Sequence, residues 1–288
     1  MSILTKKAVL AALNVGGWDA RKRDDKASAV VHKHFHATKD SGNFNKTLID
    51  VKDEDWLRIV AARSALRDYH YSHTLPWVHK GCQILAAATY LDYQNGVGKL
   101  IEEYLNAAER FIEDSYETLK DQAKQQRNGL YNEADYPSKG ELHRKFYAEV
   151  SFLPVPDSGH VIVDLQNSEV ERIKRDTETM IEQAVEQAQA ALWVRLHEPV
   201  KAMADALADP KRRFHDSLVG NVKDIVKMVQ PMNLTNDPKL TEMAKEVEKS
   251  LTKASADMLR DDVDKRSEVA RKAAELARKM ASLMPKAQ

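Results

Sequence analysis

Between Gly159 and the last residue, Gln288, the chain contains one glycine, Gly220. Glycine is the residue that most readily adopts positive φ and lets a chain reverse, so a stretch this long with a single one suits long continuous elements. The apolar residues agree. Val170, Ile181, Leu192 and Met203 recur every eleven residues, with Val185, Leu196 and Leu207 on a parallel track, close to the geometry of a straight helix. The spacing predicts one long helix over 168–198, kinked or ended by Pro199. Asp209-Pro210 and Asp237-Pro238 each place a capping carboxylate before a proline suited to the first helical position. Helices over 210–229 and 238–259 follow, then another to Met284. Their inner faces are Phe214, Leu218, Val222, Ile225 and Val229, then Leu240, Met243, Val247, Leu251 and Met258.

The first half is more broken. Residues 8–18 read as a strand ended by Gly16-Gly17 or as a short helix; the strand is preferred because two later strands need a partner. Asp24-Asp25 can cap a helix over 26–37, and residues 38–46 read as a loop. Asp53 is a good cap for a helix over 54–71, where Trp56, Ile59, Val60, Ala62, Ala65 and Leu66 make one apolar face. Leu75-Pro76 ends it. A helix over 82–93 is expected next. Gly96 and Gly98 then mark a break before a long helix over 99–126. Residues 148–153 and 161–165 are β-rich and joined by a proline-containing turn.

The predicted fold class is therefore mainly α with a small antiparallel β-sheet (α+β), and the long helices lie in the C-terminal half. The composition break divides the chain into a helical domain with the small sheet, 1–166, and an elongated helical region, 167–288. Lysines and arginines equal aspartates and glutamates, 44 of each, so the formal charge is zero. That balance argues against a globally basic nucleic-acid coat while leaving room for a local patch. Cys82 stands alone, which excludes an intrachain disulfide and fits a reducing cytoplasm. The N-terminal apolar run, Ala8 to Leu13, is short and followed by Asn14, so a folded element is expected there rather than a targeting segment. No run approaches the roughly 18 apolar residues of a membrane span.

The chemistry-bearing residues form small groups. Arg67–Tyr93 holds four tyrosines, Trp77, the three histidines His70, His73 and His79, and Cys82, and reads as an aromatic hub where elements meet. Its histidines read as hydrogen-bonded core groups and its cysteine as an inert buried thiol. His32, His34 and His36 could share a metal ion, since His32 and His36 lie one helical turn apart. They lack a third fixed ligand, and exposed surface histidines are the simpler reading. Gly96-Val97-Gly98-Lys99 has part of a phosphate-loop pattern but lacks the following Ser or Thr. Arg21, Lys22 and Arg23, with Lys211, Arg212 and Arg213, are the basic groups placed to touch phosphates, alongside Arg172, Lys174 and Arg175. All have acidic neighbours, as solvated helix faces do.

Several phrases resemble one known family: AARSALRDYHYSHTLPW at 61–77, the aromatic run to TYLDY at 89–93, YNEADYPSKGEL at 131–142, SFLPVP at 151–156, HVIVDL at 160–165, DSLVGNVKDIV at 216–226 and MNLTNDPKL at 232–240. In this order they resemble an uncharacterised family of proteins encoded mostly by tailed bacteriophages and prophages. The resemblance runs from about Leu13 to Met280. It implies expression in the host cytoplasm and a partner such as an AAA-type ATPase, and it supplies no catalytic residues. It directs attention to Arg67, Tyr69, Tyr71, Pro76, Trp77, Asp135, Tyr136, Asn233 and Asp237 as structural or interaction positions, and to the turn prolines Pro137, Pro154 and Pro238.

These readings lead to an expected non-enzymatic accessory protein, without a cofactor, acting through protein–protein contacts with a phage or host protein or as a homo-oligomer. A nucleic-acid-binding accessory of phage replication or recombination is the alternative. A metal-dependent enzyme built on a histidine cluster is the second.

Overall fold

The structure, a computed structural model, describes residues 3–160, 166–209 and 211–285. It is mainly helical with a small antiparallel sheet. The chain forms two compact units from non-consecutive segments: residues 1–12, 71–93 and 151–288 in the first, and residues 13–70 and 94–150 in the second. The grouping follows space rather than sequence order and does not coincide with the composition break at 166.

The first unit contains helix α1 (Ile3–Lys7), which leads into strand β1 (Ala8–Gly16). Strands β4 (Leu75–Pro76) and β5 (Gln83–Ala86) belong here. The last strand, β6 (Tyr147–Pro154), includes the β-rich 148–153, and the sheet order is β4-β5-β1-β6. Register places Ala8 opposite Ala86 and Leu10 opposite Ile84. The helix expected over 82–93 is thus a strand followed by a 3-10 turn at Ala87–Thr89. Ile84, Leu85 and Ala86 are all buried, and a short apolar run buried on both faces has no periodicity to tell strand from helix. The expected strand 161–165 lies outside the described residues.

The rest of this unit is helical: α7 (Asn167–Ala208), α8 (Ser217–Met232), α9 (Pro238–Leu251), α10 (Ala256–Asp261) and α11 (Val263–Leu283). Helix α11 packs along α7, and α8 packs against both α7 and α9. Helix α7 runs through Pro199 instead of ending there. A proline removes one backbone hydrogen bond and crowds the preceding turn. Here the buried Leu196, Val200 and Met203 on either side contribute packing that holds the helix, at about 1.5–3 kcal/mol per buried large side chain. The eleven-residue track is buried from Ile181 onward, while Val170 is only half-buried.

Two further boundaries differ from expectation. Asp209 ends α7 rather than starting the next helix, which begins only at Ser217. The expected helix 238–259 is interrupted after Leu251, and Ser255 caps the short α10 through the Met258 amide. Met258, expected inside, is 52% exposed. The Asp237-Pro238 start of α9 is as expected.

The second unit contains strands β2 (Arg21–Arg23) and β3 (Asn45–Thr47), and helices α2 (Asp25–His34), α3 (Glu54–His73), α4 (Tyr90–Arg110), α5 (Tyr116–Arg127) and α6 (Lys139–Lys145). The unit boundaries fall within β1, α3, α4 and β6. A π-helical turn, Phe111–Ser115, joins α4 to α5. Gly96 and Gly98 lie inside α4 rather than before it. Gly96 leaves room for Tyr69, whose ring and Oη a Cβ there would meet. The core is aromatic. Trp18 meets Trp56 edge-on at 5.8 Å and Tyr116 at 5.7 Å, and Trp56 meets Phe111 at 5.4 Å. The π turn adds one residue to the helical repeat, so both Phe111 and Tyr116 reach this cluster.

Candidate functional site

Residues 20–48 form one excursion built as a strand pair with a helix in its connection. Arg21 pairs with Thr47, Lys22 with Lys46 and Arg23 with Asn45. The strand at 45–47 falls at the end of the stretch expected to be a loop. Asp24 caps α2 by accepting from the Ala27 amide at 2.9 Å. The buried Ser28 closes the excursion: its hydroxyl donates to the Asp24 carbonyl and accepts from the Phe44 amide. At the far end of α2, Ala37 N donates to His32 O at 2.9 Å and His36, at φ 50°, takes the left-handed position after the helix. This is a Schellman ending with histidine where glycine is usual.

The helical repeat sorts the side chains of α2 into two adjoining faces. One carries His32, Lys33 and His36 and, with Arg23 and Lys39, lines a depression of about 660 Å³. The other carries Val31 and Phe35 and, with Gly42 and Phe44, lines a second depression of about 350 Å³. Ser28, His32 and Ala37 line both. The apolar members stand in water: Phe35 is 71% exposed and Val31 43%. The His34 ring meets Phe35 edge-on at 4.9 Å.

Charge is uneven here. Between Asp19 and Lys46 there are seven lysines and arginines against four aspartates. Asp24 is held by Lys46 at 2.9 Å, and Asp25 faces Arg23 at 2.7 Å. The Ala27 amide, and then Lys46, hold the Asp24 carboxyl below its ordinary range. Among the described residues, the exposed Arg21, Lys22, Lys26, Lys33 and Lys39 make no ion pair.

The structure therefore brings Arg23, from the basic group Arg21, Lys22 and Arg23, beside His32 and His36 of the histidine group, while His34 lines neither depression. Among the described residues, the ring nitrogens of these three histidines do not converge as a trio. His32 Nε2 donates to the Gly42 carbonyl at 2.7 Å, fixing the loop instead. Among the described residues, the trio with converging ligand atoms is Glu109, Glu113 and His143, all exposed. Lys139 sits 2.8 Å from Glu113, and His143 lies within 3.3 Å of both glutamates, so Glu113 already has a cationic partner. Lys139 first, and then His143, hold the Glu113 carboxyl below its usual range.

Other expected positions have structural work. Asp237 caps α9, and its second oxygen accepts from Gln189 at 2.9 Å and Trp193 Nε1 at 3.2 Å. Asn233 bonds the Asp237 backbone in both directions. Tyr136 Oη donates to the Leu48 carbonyl at 2.7 Å, and Asp135 pairs with Lys46. Trp77 is buried in the first unit's core, where Pro76 lies in β4 opposite Gln83. Tyr71 is 55% exposed and its carbonyl accepts from Arg195 at 2.8 Å. Arg67 is exposed and Tyr69 half-buried against Gly96. The stretch 67–93 is divided between the two units, and the aromatic cluster of the second unit forms around Trp18, Trp56, Phe111 and Tyr116. Lys211, Arg212 and Arg213 are exposed in the connection between α7 and α8.

One cation that the sequence did not mark out is Arg266. It is 7% exposed, donates to the carbonyls of Ala206, Leu207, Asp209 and Arg212, and stacks 5.2 Å from the Phe214 ring centroid. It satisfies carbonyls that the end of α7 leaves without helical partners.

The chain is thus a mainly α protein whose second unit carries a basic and aromatic surface excursion. No protein-family model, no curated protein and no solved structure matches it. Among the described residues, no helix is long and apolar enough to cross a membrane.

Proposed function

We propose that this is a non-enzymatic accessory protein of phage or prophage origin that acts in the host cytoplasm by binding another macromolecule through the 20–48 excursion. One observation carries the reading: Val30, Val31 and Phe35 stand in water on a helix whose ends are firmly tied. Clustered exposed apolar side chains with a polar rim mark contact surfaces more often than inert ones. The partner under this reading is a phage or host protein, an AAA-type ATPase among them, or a second copy of the chain. Photo-crosslinking from position 35 of the full chain, in cells carrying the phage or prophage genes, tests it. Adducts should form there and not from the exposed Glu275 on α11. Equal yields from both positions would remove the reading.

A second reading, a nucleic-acid-binding accessory of phage replication or recombination, rests on a different observation. Among the described residues, five exposed cations of the same excursion have no carboxylate partner, and such cations gain from phosphate contacts by releasing counterions. Its test is salt-sensitive binding to DNA at low ionic strength.

A further inference from the structure

We infer that the ligand of the excursion is single-stranded nucleic acid, with phosphates over the basic depression and an unstacked base in the aromatic one. The inference rests on the second reading above and names the form of nucleic acid it takes.

The two depressions share His32, Ser28 and Ala37 as a common wall, so a phosphate in one and a base in the other would belong to adjacent parts of one strand. The basic side offers Lys33 and Lys39, neither engaged by a carboxylate, together with Arg23, whose pair with Asp25 is exposed to solvent and easily exchanged. The other side offers the faces of Phe35 and Phe44, 71% and 38% exposed. Aromatic rings in water beside a cationic track are the device by which single strands are held without base-specific hydrogen bonds. A duplex keeps its bases stacked on one another and offers no open base face, so it would leave the Phe35 ring without a stacking partner. A protein partner would use Val30, Val31 and Phe35 and gain nothing from five like charges unless it were strongly acidic. Charge and ring exposure together favour the single strand.

Fluorescence anisotropy on the purified full chain tests this, using a labelled oligothymidine and a mixed-sequence duplex, each of about 20 nucleotides per strand, in about 50 and 200 mM salt. The oligothymidine should bind more tightly than the duplex and lose about tenfold or more in affinity at the higher salt. Phe35→Ala should weaken it by about tenfold, while Phe35→Trp retains binding. Leu91→Ala, an equally exposed apolar position in the first unit, should change nothing. If the duplex binds as tightly and Phe35→Ala has no effect, the single-strand inference falls and the nucleic-acid reading stands. If neither probe binds at the lower salt, both fall. Crosslinking from position 35 to protein alone in cells would then leave only the protein-partner reading.

Discussion

Lys46 Nζ lies 2.8 Å from Asp135 Oδ2, and both side chains are nearly withdrawn from solvent. The same ammonium reaches Asp24 at 2.9 Å and donates to the Leu130 carbonyl at 2.6 Å. Desolvation works against the charged amine, but the bonds to Asp135 and Asp24 outweigh it and hold the Lys46 pKa above its ordinary value. One lysine therefore ties the exposed excursion to the body of the second unit.

Replacing Lys46 by Met should cost about 2 kcal/mol, below the range for removing one partner of a fully buried pair because the cluster still borders solvent. The double variant Lys46→Met with Asp135→Asn should recover part of the loss, since it no longer strands both carboxylates. Urea unfolding of the three proteins measures this. A single variant as stable as the parent would show that the cluster contributes nothing.

His70 should make the protein acid-sensitive. Burial, with 2% of the residue exposed, pushes its pKa down to about 4 from an ordinary 6.5. The fold holds the neutral ring, so this contribution is complete above pH 6.5 and is lost as pH falls from 6.5 toward 4. After allowance for solvent screening, the loss is about 2 kcal/mol. Denaturation of the parent and His70→Leu across that window isolates it, because the carboxylates titrate in both. Parallel curves would be inconsistent with a buried neutral imidazole.

At Gly96 the sign of a substitution should depend on its neighbour. Alanine would clash with the Tyr69 ring and destabilise by about 1–3 kcal/mol, the usual penalty for overpacking. With Tyr69→Leu already present the same change should become neutral or stabilising by up to about 1 kcal/mol, because alanine is the better helix former. A double-mutant cycle reads the coupling; additivity would mean the close approach is unimportant.

Arg266→Met should destabilise the first unit by about 3 kcal/mol by stranding several α7-end carbonyls. Arg266→Lys should recover only a fraction, since an ammonium lacks the planar fork. Thermal melts compare the three, and equal stability of the Lys and Arg forms would argue against the guanidinium geometry.

Much of the fold was legible in the residues. Asp53 bonds the amides of Asp55 and Trp56 at the start of α3, and Asp237-Pro238 starts α9, because capping is a local matter of one side chain and the next few amides. The strands at 8–18 and 148–153 were also readable from composition. Where local signals were ambiguous, neighbours decided. Gln83–Ala86 became a strand because β1 and β4 flank it, Pro199 stayed within a helix because the packing on both sides holds it, and Gly96 stayed within α4 with Tyr69 filling the space beside it.

The candidate surface shows the same division. Its ingredients, Arg21 to Arg23 and His32 to His36, were visible as separate groups, and the Asp24-Asp25 cap pointed to a helix through the histidines. That they share one excursion with Phe35 and Phe44, and that His32 reaches the Gly42 carbonyl across it, required the chain to return through β3. The sequence by itself determined where several helices start, as at Asp53 and Asp237, because capping and helical periodicity involve residues within a few positions of one another. Only the tertiary structure decided which distant charges meet, as at Lys46 and Asp135. Such pairs gain their energy from the low-dielectric surroundings that packing creates, and no local pattern records them.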